Sequence, residues 1–482
     1  MRQFNTILFL SFLSCFIQGV FAQQTKITLQ DAIRLAKENS FEFKTAQNRL
    51  QKSQWNYQNY KVSLFPNLAL DGSLPNYMRS ISKITLPTGE DTFVTQNQAY
   101  SSLNLGVIQP VVLTGGSIWA GTNLNRIDVF GKNRSTFYSS TPLSLSYSHD
   151  AMGFNKYKWK NKIEPLVFET AKRKYVQDME SIATETTKFF FNALFTDIRL
   201  KLSQQNLSAA DTLYRIAEDR YKLGNVSKSE LLQLRLSILK AKKQLSQDSV
   251  DYMLARQQLL RYLVISEDIV PIFSESVPFF NIDYRSAIGL ANENSLFIVE
   301  SRVKRLEAER NIAEVRSQTG LKFNVKANIG FTSSSEKFIH LADHFENQQQ
   351  VSLGFSIPII DWGFGRTQKQ SAEANLNIVN EEIKQGKMQA EQEIALYINK
   401  WNLHRQQLQI VKESRDIATQ NYVLEMERLK RGNIGINDFN IAEEQKDNAT
   451  LAYFDAVKQY WELYYIIRRL TLYDFENNIS LL

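Results

Sequence analysis

The stretch RYKLGN at residues 220–225 recurs in altered form as RLKRGN at residues 428–433. Each copy lies between two long helical patterns. Gly-Asn is a typical helix stop, because glycine adopts the left-handed conformation that closes a helix and asparagine tolerates it better than most residues. The repeated stretch therefore predicts two tight turns, at 224–225 and 432–433, each joining two long helices.

Apolar residues after each turn recur at every seventh position, and 208 residues separate the two copies. The first ladder comprises Leu231, Ile238, Leu245, Tyr252 and Leu259, matched by Phe439, Lys446, Tyr453, Tyr460 and Ile467; the second comprises Leu234, Ala241, Asp248, Ala255 and Tyr262, matched by Ala442, Ala449, Ala456, Leu463 and Leu470. Only Lys446 and Asp248 are charged. Sustained seven-residue spacing predicts left-handed coiled coils, so the chain contains a duplicated coiled-coil hairpin.

The N-terminus has the pattern of a secretory signal peptide over residues 1–22. Arg2 precedes an apolar run, and Val20-Phe21-Ala22 resembles a cleavage site. The single cysteine, Cys15, lies inside this segment, and its surroundings fit a lipid-attachment site poorly. The remaining chain has no run of 18 apolar residues, so only β-strands could carry it across a membrane. Its net charge of +7 is spread over 482 residues, which does not indicate nucleic-acid binding.

Strand patterns lie between the helical segments. Apolar and polar residues alternate over 323–332 and 351–359, separated by a polar loop from Ser333 to Gln350. Such ten-residue runs are typical of transmembrane strands, although a soluble sheet with one buried face alternates in the same way. We predict two strands in this copy (about 322–360) and four in the first (about 67–150).

A second repeated motif supports duplication of the whole chain. The helical segment from Thr28 to about Ser63 opens with a motif that returns 255 residues later, at 287–295. We therefore divide the chain into a signal peptide (1–22), a first structural repeat (23–272) and a second (273–482). Long helices are expected from about Pro165 to Tyr221 and from about Gly365 to Arg431. Asp361-Trp362-Gly363 is expected to join strand to helix, with Asp361 as the cap.

Taken together, these features resemble the TolC family of outer-membrane efflux and secretion ducts. The resemblance implies a membrane α+β fold: an internally duplicated homotrimer with an outer-membrane β-barrel and a long periplasmic α-helical coiled-coil barrel. It also implies a channel-tunnel that exports small molecules, peptides or proteins from the cell, with a periplasmic adaptor and an inner-membrane pump as partners. Family members usually contribute four strands per protomer, or twelve in all. Six strands would give eighteen, unless the Leu103–Ile127 pair lies outside the wall.

The resemblance also assigns site residues. The turns, with Gly224, Asn225, Gly432 and Asn433, would dock the adaptor. An acidic ring in the family falls on Asp438 here, and Glu230 is its counterpart in the first copy. Both acids also fit a structural role, because Ser227-x-x-Glu230 is a capping box and Asp438 lies in the first turn of a helix.

No motif in the chain indicates an enzyme or a bound cofactor. His340 and His344 have metal-like spacing, but they lie in a polar loop with no third ligand in view. His404 falls on a helical ladder and is expected in a helix seam. Two other functions remain open at this stage: a periplasmic coiled-coil adaptor or scaffold, and an adhesin that uses the loop Ser333–Gln350.

Overall fold

A computed structural model describes residues 25–131, 134–150, 153–266, 269–273, 277–278 and 280–482. The predicted signal peptide and Cys15 lie outside these residues. The described residues divide into two compact units, one within residues 1–50, 172–298 and 388–482, and the other within residues 51–171 and 299–387.

The α-helices of the described residues follow the predicted duplication. They are α1 (Leu29–Asn39), α2 (Phe41–Val62), α3 (Lys156–Lys222), α4 (Lys228–Leu263), α5 (Tyr284–Asn294), α6 (Leu296–Thr319), α7 (Phe364–Arg431) and α8 (Ile436–Thr471). Helices α4 and α8 both have 36 residues, and both of their ends differ by 208. Each ends on a residue in the left-handed conformation, Val264 with φ 55° and Leu472 with φ 49°. Such a conformation is rare for a β-branched residue such as valine.

The predicted helix from Thr28 to Ser63 is wrong in one respect, since it is two helices. Ser40 is extended, and its N–H donates to Ala36 O at 3.1 Å to close α1. Its Oγ then accepts from Phe43 N at 3.1 Å at the start of α2. One serine therefore ends a helix and caps the next, and Ser295 separates α5 from α6 at the equivalent place.

The long helix of the first repeat begins nine residues earlier than predicted, and Pro165 lies inside it rather than at its start. Asn155 Oδ1 accepts from Tyr157 N at 3.0 Å and from Lys158 N at 2.9 Å. This side chain satisfies N–H groups that have no partner within the helix, which fixes the helix start at residue 156.

Six strands form one antiparallel sheet in the order β2-β3-β4-β5-β7-β8. Their bounds are β2 Asn67–Thr85, β3 Asp91–Pro110, β4 Ser117–Val129, β5 Ser135–His149, β7 Lys322–Ser335 and β8 Glu346–Ser356. The prediction of four strands plus two is confirmed, and the Leu103–Ile127 pair lies within the sheet. Within the part of the chain that the structure describes, β2 and β8 have only one neighbouring strand each.

Two strand boundaries differ from the prediction. Strand β8 ends at Ser356 rather than near residue 360, because Pro358 lacks the N–H that a ladder requires. The loop between β7 and β8 is limited to residues 336–345, since both strands extend into the predicted loop. Short strands complete the described chain: β1 (Thr25–Ile27) pairs in parallel with β6 (Ile269–Pro271), and β9 (Tyr473–Asp474) pairs with β10 (Ile479–Ser480). Among the described residues, no helix has the length and apolar character needed to cross a membrane.

The helical unit formed by residues 1–50, 172–298 and 388–482 has a large apolar core and a smaller one beside the turns. The large core includes Phe190, Phe191 and Tyr460; the smaller consists of Leu213, Ala217, Leu234 and Phe439. His404 is 3% exposed, and its Nε2 donates to Ala456 O at 2.6 Å, as expected for a seam residue.

Candidate functional site

Both repeated turns close by the same backbone geometry. In the first, Asn225 N donates to Arg220 O at 2.9 Å and Gly224 N donates to Tyr221 O at 3.0 Å. In the second, Asn433 and Gly432 make the matching bonds to Arg428 and Leu429, each at 2.9 Å. Gly224 and Gly432 have φ of 76° and 82°. These are Schellman motifs, in which the glycine takes the left-handed position, as the sequence predicts.

The two turns contact each other. Arg220 Nη2 of the first turn donates to Lys430 O of the second at 2.6 Å. Residues of both turns, including Glu230 and Leu429, line a cavity of about 130 Å³. The contact made by Arg220 was not predicted from the sequence. The one sequence feature that points to it is the position of Arg220 as the first residue of the repeated motif. Its counterpart, Arg428, instead pairs with Glu425 at 2.8 Å.

The two candidate acids have different local partners. Glu230 forms a reciprocal capping box: its Oε2 accepts from Ser227 N at 2.9 Å, and its own N–H donates to Ser227 Oγ at 3.2 Å. Asp438 has only a long contact, in which Gly435 N lies 3.4 Å from its Oδ2, because glycine has no side chain with which to complete a box. Asp438 is therefore freer than Glu230 to face solvent or an ion.

A second acidic feature, not predicted from the sequence, lies on α8 about one and a half to two and a half turns beyond Asp438. Burial raises the pKa of Glu443 to about 7, with a smaller contribution from Asp447. Lys446 Nζ lies 3.0 Å from Asp447 Oδ1 and 4.2 Å from the centre of the Tyr422 ring, and Asn206 Nδ2 donates to Asp447 at 2.6 Å. This arrangement explains how charged Lys446 occupies an apolar ladder, where it is 7% exposed.

One face of the six-stranded sheet is polar and hydrogen-bonded from strand to strand. Asn123 of β4 donates to Asn104 of β3, and on the same face Ser144 and Ser146 of β5 donate to Asn328 of β7 at 2.6 and 2.9 Å. The side chains on this face are mainly uncharged amides and hydroxyls. Such a surface is suited to contact with water.

Small residues cross this polar face in a single row. Gly106, Gly121, Ser144 and Gly330 are successive partners across β3, β4, β5 and β7. The Trp119 ring lies over the row, since a Cβ at Gly106 would stand 2.3 Å from its Nε1. Glycine in a strand permits close approach and sharp bending, so the row allows the sheet to curve here.

The opposite face carries an apolar band that crosses all six strands. Leu68 pairs with Val107, Leu145 pairs with Ile329, and Phe323 pairs with Phe355. Along β7 the band runs from Phe323 to Phe331, a length of roughly 26 Å at 3.3 Å per residue. An outer-membrane protein presents an apolar band about 25 Å tall to lipid, so this face has the required height.

The junction after β8 has the predicted capping geometry. Asp361 accepts from Gly363 N at 3.0 Å and from Gly365 N at 2.9 Å, at the start of α7. Trp362 is 95% exposed and has φ 52°. A large aromatic side chain displayed beside an apolar band is typical of a membrane interface.

The two histidines singled out above lie in the loop between β7 and β8. His340 Nδ1 lies 2.7 Å from Asp343 Oδ2, and His344 is exposed. Within the described residues, no group of three or more His, Cys, Asp or Glu side chains is placed to hold a metal ion.

Comparison with known proteins identifies the kind of chain that carries these features. The model of a protein family described as "Outer membrane efflux protein" matches residues 120–263 and 287–465, more than half of the chain. No curated protein sequence matches the chain.

Solved outer-membrane channels have a similar fold. The CmeC channel of Campylobacter jejuni is 17% identical, with 92% of this chain and 85% of that chain covered, and a TM-score of 0.66. VceC of Vibrio cholerae is 15% identical over 92% and 95% of the two chains, with a TM-score of 0.64. The open-state MtrE channel of Neisseria gonorrhoeae is 16% identical over 92% and 88%, with a TM-score of 0.61.

Proposed function

Because the chain belongs to the outer membrane efflux protein family, we propose that three copies of it form one continuous duct from periplasm to exterior. Members of this family are outer-membrane channels of efflux systems whose helices extend into the periplasm. More specifically, this duct would be the homotrimeric exit channel of a tripartite efflux or type I secretion complex. It would work with a periplasmic adaptor and an inner-membrane pump.

The observation that carries this proposal is the contrast between the two faces of the sheet. An apolar band of roughly 26 Å suits lipid, and the opposite amide and hydroxyl face suits a water-filled lumen. Both edge strands, β2 and β8, have backbone groups available for a neighbour. We propose that β8 of one copy pairs with β2 of the next, so that the wall contains eighteen strands rather than twelve.

The repeats 23–272 and 273–482 would then contribute one helix hairpin each to the periplasmic end. The adaptor-docking surface is proposed to comprise Gly224, Asn225, Gly432 and Asn433. The Arg220–Lys430 hydrogen bond supports this assignment, because it holds the two turns together as one surface. Because this surface is already formed, a partner protein can bind it without the free-energy cost of ordering the two turns.

For the constriction we propose Asp438 as the principal acid and Glu230 as a secondary one. A trimer would bring three copies of each to the narrow end, where a ring of carboxylates favours cations. The capping box of Glu230 supports this ranking, since that carboxylate already accepts bonds from Ser227.

Ion conductance across a planar bilayer tests both the duct and the acidic ring. We expect cation-preferring channels from the wild type, a several-fold lower preference for Asp438→Asn, and a smaller loss for Glu230→Gln. The exposed Glu381→Gln, far along α7 from the turn, is the matched control and should leave the preference unchanged.

Absence of channels in the wild type would contradict the proposal that the protein forms a duct. A cation preference that Asp438→Asn leaves unaltered would contradict only the proposal of an acidic ring at the constriction. The periplasmic adaptor or scaffold considered above predicts a protein that migrates identically on a gel with and without heating, whereas a closed membrane barrel shifts on heating.

A further inference from the structure

The loop between β7 and β8 is fixed by its own hydrogen bonds. Residues Phe338–Ala342 form a 3₁₀ helix. Before it, Lys337 N donates to Ser335 Oγ at 3.2 Å, and after it Asp343 N donates to His340 O at 3.3 Å. The loop is therefore an ordered element with defined inner and outer sides.

This loop folds back over the apolar face of the sheet. Leu341 is 7% exposed, and the Phe338 ring meets the Tyr138 ring edge-on at 5.7 Å. Tyr138 pairs across the sheet with Arg126, whose guanidinium lies 5.9 Å from the same ring. Arg126, Leu124 and Thr122 share one face of β4, because side chains alternate along a strand.

Between loop and sheet lies an open groove of about 580 Å³. Its floor includes Thr122, Leu124 and Pro142, and its walls include Ile339, Leu341 and Phe345. A volume of this size is within the range of small-molecule sites. Among the residues that the structure describes, no charged side chain lines the groove, so its chemistry suits hydrocarbon.

An irregularity in β5 shapes the groove floor. Between Ser140 and Leu143 this strand contains one residue more than either neighbour, β4 or β7. Pro142 lies in this bulge, where its missing N–H costs no ladder bond. The bulge places Pro142 on the groove floor, with Thr122, Leu124 and Ser140.

We propose that this groove binds one acyl chain of a membrane lipid in the outer leaflet of the outer membrane. The proposal rests on the proposed function, in which the apolar face contacts lipid. Strands β5 and β8 lead into helices α3 and α7 at their other ends, so the loop lies at the end of the sheet facing away from the periplasm. The groove opens onto the apolar band, because Leu143, beside Pro142, pairs with Phe331.

The exposure of the loop supports a lipid occupant. Phe338, Ile339 and Phe345 are 59%, 78% and 46% exposed, which is unfavourable in water and favourable in hydrocarbon. The groove lies on the interior strands β4 and β5, away from the β2 and β8 edges where a second copy would pair. Arg126 and Asp128, further along the same face, lie at the level expected for a lipid head group.

Photolabelling of the full-length protein in phospholipid vesicles tests this site. The vesicles contain a phospholipid with a diazirine near the carboxyl end of one acyl chain, and labelled peptides are identified by mass spectrometry. A chain held between the loop and the sheet gains van der Waals contacts on two sides, whereas a chain on the open face gains them on one side only. We therefore expect labelling of residues 336–345 several-fold above that of Leu103 and Leu105, which lie outside the groove on the same face and pair with its floor residues Leu124 and Thr122.

Ala342→Phe should fill the groove and reduce its labelling to the level of the open face. Ala327→Phe, elsewhere on the apolar band, is the matched control and should leave the groove labelling unchanged. Conductance and heat-modifiable migration of both variants verify that the assembly is intact.

If a conducting protein is labelled uniformly over the whole apolar band, the proposed lipid site in the groove is wrong, while the proposed duct is unaffected. Cross-links from position 338 to a neighbouring copy would also overturn it, since the occupant would then be protein. Loss of conductance together with absence of labelling on the entire face would instead contradict the proposed function.

Discussion

In each of the two helix hairpins a buried polar contact joins the two arms, but the residues that make this contact differ. In the first, Asp248 is 2% exposed and accepts from Arg199 at 2.9 Å, from Gln244 at 3.1 Å and from Ser203. The equivalent position in the second hairpin is Ala456, whose carbonyl accepts from His404. Both hairpins thus join their two arms by a buried polar contact at the same level.

A second pair of positions shows the same divergence. Tyr214 and Tyr422 are equivalent, and each lies beneath a cation. In the first hairpin the cation is Arg235, 5.8 Å from the ring centre; in the second it is Lys446, at 4.2 Å. The residue equivalent to Arg235 is the buried acid Glu443. The two hairpins therefore share the position of the tyrosine, whereas the cation over its ring comes from a different position in each hairpin.

The largest expected effect comes from breaking the buried link of the first hairpin. Asp248→Ala should lower the free energy of unfolding by about 3 kcal/mol, because it removes three hydrogen bonds and leaves Arg199 without its carboxylate. His404→Leu, in the second hairpin, should lower it by only about 1 kcal/mol, since one hydrogen bond is lost. Thermal melting followed by helical circular dichroism measures both.

The double variant Asp248→Ala, Arg199→Leu is the control for this comparison. It should recover part of the loss, because an apolar pair replaces an orphaned charge. If Asp248→Ala and His404→Leu lower the free energy of unfolding equally, the buried polar contacts of the two hairpins contribute equally to stability.

An intermediate, pH-dependent effect is expected at Glu443. Its pKa rises from an ordinary 4.5 to about 7 on folding, so the folded protein binds a proton more tightly than the unfolded chain. Stability should therefore fall as the pH rises from 4.5 to 7 and level off above it. Glu443→Gln should remove this slope and stabilise the protein at pH 8 by about 2 kcal/mol, after allowance for solvent screening.

The matched substitution for this test is Arg235→Gln at the equivalent position of the first hairpin. It should leave the pH dependence of melting unaltered, because it removes no carboxyl group. A slope that persists in Glu443→Gln would assign the titration to another group.

The smallest effect distinguishes the two turns. Alanine at Gly224 or Gly432 should cost about 1–2 kcal/mol in each turn, because both glycines have the left-handed conformation. Gly432→Ala should cost slightly more, since the new methyl group would lie 3.2 Å from Arg220 Nη1. In an Arg220→Ala background this difference between the turns should disappear in the same melting experiment.

Most of the helical architecture could be predicted from the sequence, since its signals are local or periodic. The Gly-Asn stops, the seven-residue ladders and the alternating strands each depend on neighbours within a few residues. The family resemblance was confirmed by the match to outer membrane efflux proteins. The errors at Ser40 and Pro165 arose because one side-chain cap decides a helix end, and a cap depends on a single rotamer.

The sequence by itself determined the duplication, the two turns, the six strands of the large sheet and the buried character of the ladders, because each follows from spacing along one chain. Only the tertiary structure decided that β5 pairs with β7, that Arg220 joins the two turns, that Arg199 and Ser203 satisfy Asp248, and that residues 336–345 cover the apolar face. These contacts join residues far apart in sequence, and their partners are selected by shape and hydrogen bonding in three dimensions, which no local pattern records.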